Sequence, residues 1–163
     1  MLDVCTGSGC VAVSLAALAP GVRVRAIDVS PEAIALAKRN AARNGVADRV
    51  TFEAADMFAW TTDEKFDVIT ANPPYVRADE MASLEPELSF EPRIALTDGG
   101  DGLSFVRELC ARYAAFLAPG GTLLCEIGAA QGEEALAIAR GAGLEAAIVR
   151  DLSGRDRVLC ASR

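Results

Sequence analysis

The hydrophobic and polar positions of this chain change period repeatedly along its length. Short runs rich in Val and Ile are typical of strands, and longer segments with apolar residues three or four positions apart are typical of helices. Ser30-Pro31 marks one helix start and Asn44-Gly45 marks its end. The pattern predicts strands at 1–5, 22–28, 49–54, 66–71, 122–127, 144–150 and 157–161, and helices at 10–19, 31–44, 102–118 and 130–141.

The order of these elements predicts the fold class. Alternating strands and helices favour an α/β fold with a mostly parallel, doubly wound sheet. The last two predicted strands are joined by only about six residues, which is too short for a parallel crossover, so we expect an antiparallel hairpin at one end of the sheet. This Rossmann-like arrangement resembles that of class I methyltransferases. The segment 77–101 is predicted as a long loop, and residues 1–163 are expected to form one domain.

The composition and net charge of the chain argue against several classes of protein. The 163 residues are 52% hydrophobic, enough for one buried core, and the net charge is -7 without a basic stripe, which argues against direct nucleic-acid binding. The longest mainly apolar stretch, Val11 to Ala19, is too short to span a bilayer, so we expect a cytoplasmic protein that binds no membrane. Five scattered cysteines and the absence of histidine predict reduced, mostly buried thiols and no metal site.

A glycine-rich loop follows the first predicted strand. Glycines allow the backbone to approach a ligand closely, although an ordinary strand-to-helix turn would look the same. Asp28 ends the second strand, where an acidic side chain can accept hydrogen bonds from both ribose hydroxyls of a nucleoside. This pattern also fits NAD, but the loop lacks the spacing of the dinucleotide fingerprint. Asp56, after the third strand, is placed to accept from an adenine amino group or, alternatively, to act as a solvated loop residue or a helix cap. Together these features favour S-adenosylmethionine as the cofactor.

The segment Asn72-Pro73-Pro74-Tyr75 directly follows the fourth predicted strand. Paired prolines stiffen the chain and remove two N–H donors, so backbone carbonyls can face a ligand. A planar NH2 group needs such acceptors, which the Asn72 side chain and the Pro73 carbonyl would supply, while Tyr75 can pack flat against the same plane. Holding both N–H groups orients a poorly nucleophilic nitrogen towards a methyl carbon without a histidine base. The alternative is a merely rigid turn.

Several motifs in one order resemble the peptide chain release factor glutamine methyltransferases (the PrmC/HemK family). They are Leu2-Asp3 to Gly9, Asp28, Asn72 to Tyr75, Phe90-Glu91-Pro92, Ala95-Leu96, Gly100-Asp101-Gly102-Leu103 and the tail from Asp151 through Gly154 to Val158. The resemblance implies methyl transfer from S-adenosylmethionine to a glutamine amide in the Gly-Gly-Gln loop of a release factor. It also implies that the target amide is bound by Asn72, Pro73, Pro74 and Tyr75, and the cofactor by Cys5, Thr6, Gly7, Ser8, Gly9, Asp28, Asp56, Met57 and Asn72.

Three departures from the family pattern leave other interpretations open. Cys5 replaces the first glycine of the loop, and Met57 stands where an aromatic residue is common. The sequence starts on the first predicted strand, so we expect the small helical N-terminal domain of the family to be absent. The alternatives are an adenine or guanine amino-group methyltransferase acting on nucleic acid, and a cofactor-binding remnant without turnover.

Overall fold

The computed structural model describes residues 1–163, apart from the side chain of residue 89. The strands are β1 Leu2–Val4, β2 Val24–Asp28, β3 Val50–Ala54, β4 Phe66–Ala71, β5 Leu117–Glu126, β6 Glu145–Arg150 and β7 Asp156–Ser162. The helices are α1 Cys10–Leu18, α2 Pro31–Arg43, α3 Arg93–Leu96, α4 Ser104–Ala111 and α5 Gly132–Gly141. Turns of 3-10 helix cover Met81–Ser83, Pro86–Phe90 and Tyr113–Phe116.

The seven strands form one sheet in the order β3-β2-β1-β4-β5-β7-β6. Strand β1 pairs in parallel with β2 and with β4, and β2 pairs in parallel with β3. Strand β7 is antiparallel to β5 and to β6. The predicted α/β class, the mostly parallel sheet and the C-terminal antiparallel hairpin are therefore confirmed.

The chain comprises two compact units, of which the first contains Met1–Asn72 and Phe116–Gly121. Its core lies where α1 and α2 cover the sheet. The buried side chains of these two helices are small. Ala12, Ala16 and Ala41 are almost fully buried there against strand residues such as Val24 and Val50. Ser30 caps α2 as predicted, since its hydroxyl accepts a 3.1 Å hydrogen bond from the Ala33 N–H.

The second unit contains Pro73–Ala115 and Thr122–Arg163. Its core is built from larger apolar side chains on, or directly next to, α4, β5 and β7. The most deeply buried of these are Leu103, Val106, Leu109, Leu123, Ile127 and Leu159. Strands β6 and β7 are joined by a tight loop in which Asp151 accepts from the N–H groups of Ser153 and Arg155, at 2.9 and 3.0 Å.

Two predicted boundaries are wrong. The helix predicted at 102–118 ends as α4 at Ala111, and β5 begins at Leu117, so residues 119–121, which separate the predicted helix from the predicted strand, lie inside β5. The residue before a proline is disfavoured in helical conformation, which keeps Ala118 out of the helix. The segment 77–101 is not a plain loop, because a 3-10 turn begins at Pro86 and the short helix α3 begins directly after Pro92.

All five cysteines carry free thiols, as expected. Only Cys110 and Cys125 are buried, however, and Cys10 is exposed. In the described part of the chain, no helix has both the length and the apolar composition needed to cross a membrane. The same residues contain no cluster of three or more Cys, Asp and Glu side chains arranged to hold a metal ion.

Candidate active site

The carboxyl ends of β1, β2 and β4 lie at one edge of the sheet. Val4 is level with Ile27 of β2 on one side and with Ala71 of β4 on the other. The residues that follow these three positions therefore lie together at this edge of the sheet. Strand order reverses at β1, and open α/β sheets bind ligands at such a reversal.

The glycine loop after β1 is shaped by two backbone hydrogen bonds. The Thr6 N–H donates to the Ile27 carbonyl at 3.0 Å, and the Gly9 N–H donates to the Thr6 carbonyl at 2.8 Å. Gly9 has φ 79°, and a Cβ there would lie 2.9 Å from the Ala37 Cβ of α2. Gly7 also has a positive φ, of 55°, but a Cβ there would meet nothing within 4 Å. Packing thus requires glycine at position 9, whereas position 7 borders open space.

Cys5 is strained by the same loop. Its φ of 56° lies in the left-handed region that favours glycine. This is the position where the sequence departs from the family's glycine pattern, and the backbone keeps the glycine conformation. Burial raises the pKa of the Cys5 thiol, and the charges of Asp28, Asp3 and Asp56 raise it further. The thiol is therefore protonated near neutral pH and is not a nucleophile.

Asp3 supports the loop from inside β1, a role that the sequence analysis missed. The Asp3 side chain is buried, and its carboxylate accepts 2.6 Å hydrogen bonds from the hydroxyls of Thr6 and Thr70. Burial raises the pKa of Asp3, while these bonds and one from the Ala12 backbone lower it. An acidic residue inside a buried strand was the signal available in the sequence, because buried carboxylates require such partners.

Asp28 lies where the sequence predicted it, at the end of β2. One carboxylate oxygen accepts from the Gly7 N–H at 2.8 Å and the other accepts from the Ser30 N–H at 2.9 Å. A carboxylate has roughly four acceptor sites, so two sites are left for a ligand. Asp28 therefore joins the glycine loop to the start of α2 and still has acceptor capacity.

Asp56 and Met57 follow β3. An Asp56 oxygen accepts from the Phe58 N–H at 2.9 Å, which closes a turn and caps none of the described helices, and the Asp56 side chain is exposed. Met57 is buried, whereas Phe58 is 46% exposed. The exposed aromatic ring thus stands one residue after the position that the family pattern indicates.

Asn72 directly follows β4 and belongs to the edge formed by β1 and β2. Its side chain is exposed. Among the hydrogen bonds of the described residues, none involves the Asn72 carboxamide. The carboxamide oxygen and its NH2 group are therefore available to a ligand.

The hydroxyl and the main-chain carbonyl of Tyr75 both form hydrogen bonds within the second unit. Its hydroxyl donates a 3.1 Å hydrogen bond to Glu126, the last residue of β5. Burial raises the pKa of the Tyr75 phenol and the Glu126 charge raises it further, so the hydroxyl is a donor near neutral pH. The Tyr75 carbonyl accepts a 2.9 Å hydrogen bond from the buried carboxamide of Gln131. The sequence analysis missed both partners. For Glu126, the signal was an acidic residue at a strand end.

The comparisons with known proteins agree with this geometry. Residues 1–118 match the methyltransferase small domain family. The chain is 47% identical over 163 residues to the release factor glutamine methyltransferase of Cereibacter sphaeroides, covering 99% of this chain and 58% of that protein. It is 44% identical over 128 residues to the ribosomal protein uL3 glutamine methyltransferase of Bradyrhizobium diazoefficiens, covering 78% of this chain and 40% of that protein.

A solved structure supports the fold. The ribosomal protein L11 methylase of Lactobacillus delbrueckii subsp. bulgaricus matches 99% of this chain and 68% of its own, with a TM-score of 0.70 and 24% identity. The resemblance to release factor glutamine methyltransferases is confirmed by sequence, although the chain spans little more than half of the first relative's length (58%). The match over residues 1–118, together with the glycine loop and the acidic strand end, means that this chain belongs to the methyltransferase small domain family.

Proposed function

We propose that this chain is the catalytic part of a methyltransferase that transfers a methyl group from S-adenosylmethionine to the side-chain amide nitrogen of a glutamine in a peptide chain release factor. One observation carries the proposal: Asn72, the first residue of Asn72-Pro73-Pro74-Tyr75, leaves β4 level with the glycine loop of β1 and has an exposed, unpaired carboxamide. The relatives named for glutamine methylation support the choice of acceptor.

The residues at this edge fit S-adenosylmethionine. The space beside Gly7, where a Cβ would meet no atom, can admit a ligand against the backbone. The unused acceptor sites of Asp28 suit ribose hydroxyls, and the exposed Asp56 carboxylate suits an amino group. We assign cofactor binding to these residues together with Cys5, Thr6, Ser8, Gly9, Met57 and Asn72. The bound cofactor would supply an electrophilic methyl group.

The chain's own part in the reaction is to hold the acceptor nitrogen. An amide nitrogen is a poor nucleophile because its lone pair is delocalised into the carbonyl group. In the proposal, the Asn72 side-chain oxygen and the Pro73 carbonyl accept hydrogen bonds from the two N–H groups of the substrate amide. These acceptors fix the nitrogen's orientation and favour the positive charge that develops on it during methyl transfer. Pro74 stiffens the segment, and the Tyr75 ring packs against the amide plane.

The same acceptors would serve an adenine or guanine amino group. The net charge of -7 disfavours that substrate, because a flipped base must be held by contacts to the flanking phosphates. A glutamine on an extended, glycine-flanked loop tip can reach a narrow site without unstacking anything. The acceptor would therefore be a protein of the translation machinery, which implies a reaction in the cytoplasm.

The test is to incubate the protein with isotopically labelled S-adenosylmethionine and, separately, a release factor, ribosomal protein uL3 and total RNA. Mass analysis of each product identifies the methylated residue. We expect a methylated glutamine in the release factor. Methylation of uL3 alone would change the partner but keep the glutamine acceptor, whereas methylated adenine or guanine would overturn the substrate. Cofactor binding without any transfer would favour the remnant interpretation.

The variant Asn72→Ala provides the mechanistic arm of this test. Loss of one preorganised acceptor should reduce turnover about a hundredfold or more, while cofactor affinity falls much less. Asn44→Ala, which removes an exposed carboxamide at the end of α2, is the matched control and should keep full turnover. Equal losses of cofactor affinity and turnover in Asn72→Ala would contradict this division of roles.

A further inference from the structure

A buried carboxamide lies against the backbone of the proposed acceptor segment. Gln131 immediately precedes α5, and its side chain is 6% exposed. The Gln131 Nε2 donates to the Tyr75 carbonyl at 2.9 Å and lies 3.4 Å from the carbonyls of Asp101 and Gly102. Its Oε1 accepts from the Gly128 N–H at 2.8 Å. Every polar atom of this side chain is therefore occupied by main chain.

The neighbouring loop closes around the same carbonyl. Gly102 has φ 75°, and a Cβ there would lie 2.1 Å from the Tyr75 oxygen and 2.7 Å from the Gln131 Nε2. The loop is held by Asp98, whose carboxylate accepts from the N–H groups of Gly100, Gly102 and Ser104 at 2.8, 3.0 and 3.1 Å. The Tyr75 carbonyl thus lies between a fixed glycine loop and a fixed carboxamide.

We propose that Gln131 is a positioning residue for methyl transfer: its carboxamide fixes the Tyr75 carbonyl and thereby the direction of the main chain from Pro73 to Tyr75. The inference rests on the proposed function, in which the Pro73 carbonyl accepts from the substrate amide. Pro74 locks its own φ and restricts the backbone of Pro73, which precedes it. The Tyr75 hydroxyl and carbonyl are both hydrogen-bonded, so the Tyr75 main chain cannot turn freely and in turn limits the direction of the Pro73 carbonyl. Gln131 itself does not touch the substrate.

A carboxamide meets both hydrogen-bonding requirements of this position, which needs a donor on one side and an acceptor on the other. It donates to carbonyl oxygens through nitrogen and accepts from the Gly128 N–H through oxygen. An ionised carboxylate of the same shape has no donor, and its charge would face three carbonyl oxygens. When protonated it regains one O–H donor, so the isosteric variant should behave differently at low and at high pH.

The test uses Gln131→Met, which keeps the length and removes both functions, and Gln131→Glu, which keeps the shape. We expect turnover with the glutamine substrate to fall at least about tenfold in both variants, because small misplacement of reacting groups is costly. KM and S-adenosylmethionine affinity should change less than about threefold. The turnover of Gln131→Glu relative to the unmodified protein should rise as the pH is lowered from 8 to 6.

The matched control is Val106→Ala, a buried change in α4 that lowers stability without removing a polar group. Thermal unfolding calibrates the folded fraction of each variant, and Val106→Ala should keep its turnover per folded molecule. If the Gln131 variants lose no more turnover per folded molecule than this control, the positioning role is wrong.

A second measurement does not depend on activity. The chain has two tyrosines, and the NMR signal of a 13C-labelled Tyr75 ring can be assigned with Tyr75→Phe. Release of the Tyr75 main chain should shift this signal in Gln131→Met and leave it in place in Val106→Ala. An unmoved signal overturns the inference even where turnover falls. If the unmodified protein transfers no methyl group, the proposed function fails, and the Tyr75 signal alone decides whether Gln131 fixes this segment.

Discussion

Three aspartates near the ends of β1, β2 and β3 differ in how many donors the fold gives them. Asp3 is buried and accepts from two hydroxyls and from the Ala12 backbone, so its hydrogen-bonding capacity is largely used inside the protein. Asp28 is half-buried and accepts from two N–H groups. Asp56 is exposed and accepts one hydrogen bond, from the Phe58 N–H. Identical side chains thus divide into a structural support and two candidate ligand-binding groups according to the acceptor sites that the protein leaves unused.

Replacing Asp28 with alanine tests the ribose assignment. Charge-assisted hydrogen bonds are worth roughly 1.5–3 kcal/mol each, so S-adenosylmethionine affinity should fall at least about tenfold, measured by calorimetry. The loop also loses the bond from the Gly7 N–H, which adds to the effect. Asp48→Ala removes the same charge from an exposed site and is the control. Affinity in Asp28→Ala equal to that of the control would refute the assignment.

The strain at Cys5 is testable by comparing two replacements that both remove the sulfur atom. A left-handed φ costs a residue with a Cβ roughly 1–2 kcal/mol, and glycine's greater freedom in the unfolded chain offsets part of that. We expect Cys5→Gly to have a free energy of unfolding about 0.5–1 kcal/mol above that of Cys5→Ala, from urea denaturation. On the exposed face of α1, Ala17→Gly should instead lower it by about 1 kcal/mol. The reverse order at position 5 would show that the backbone is not strained.

At the scale of elements, local sequence patterns predicted most strands and helices. They misplaced boundaries where the apolar pattern and a following proline favour different structures. Strand β4 was predicted to the residue, and the Ser30 cap located the start of α2. The apolar stretch before Pro119 was read as helix although a residue preceding proline avoids that conformation, and it begins β5. The 3-10 turns and the four-residue α3 are shorter than the window over which helical periodicity can be recognised.

The close approach of α1 to α2 can be measured with a matched pair of glycines. Gly7 and Gly9 both have positive φ, so alanine strains the backbone at either site, but only at Gly9 would the new Cβ meet the Ala37 Cβ, at 2.9 Å. Gly9→Ala should therefore lower the free energy of unfolding by about 1–3 kcal/mol more than Gly7→Ala. Urea denaturation of both variants gives the difference. Equal losses would mean that α1 moves away without cost.

At the scale of the whole molecule, the order of elements was sufficient to predict the fold because crossover rules leave few ways to arrange alternating strands and helices. The same rules placed Asp28 and Asn72 at one edge of the sheet. They could not identify Gln131 as the partner of Tyr75, since these residues lie 56 positions apart and are joined by a side-chain to backbone contact. Such contacts depend on packing details that carry no periodic signal.

Stability in acid should depend on hydrogen-bonded carboxylates such as Asp98. Burial alone would raise the pKa of Asp98, but bonds from Ser104, Gly100 and Gly102 hold it below its ordinary value. The Arg107 guanidinium similarly lowers the pKa of Asp101 to about 2. A carboxyl with a lower pKa in the folded state stabilises the fold above its unfolded pKa, near 4, and that stabilisation is lost as the pH falls through the folded value.

Acidification also changes the net charge of the unmodified protein, which is -7 at pH 7 and positive below the pI of about 4.6, so self-repulsion first falls and then rises. The informative quantity is therefore a difference between variants. Asp98→Asn should unfold at lower urea concentration than the unmodified protein at pH 7, and this deficit should shrink as the pH falls from 4 towards 2. Urea denaturation followed by circular dichroism at pH 7, 5, 4, 3 and 2 provides the measurement. Asp48→Asn removes the same charge from an exposed side chain and should show no such convergence. A deficit in Asp98→Asn that stays constant with pH would mean that the Asp98 carboxylate contributes through its shape rather than through its ionised state.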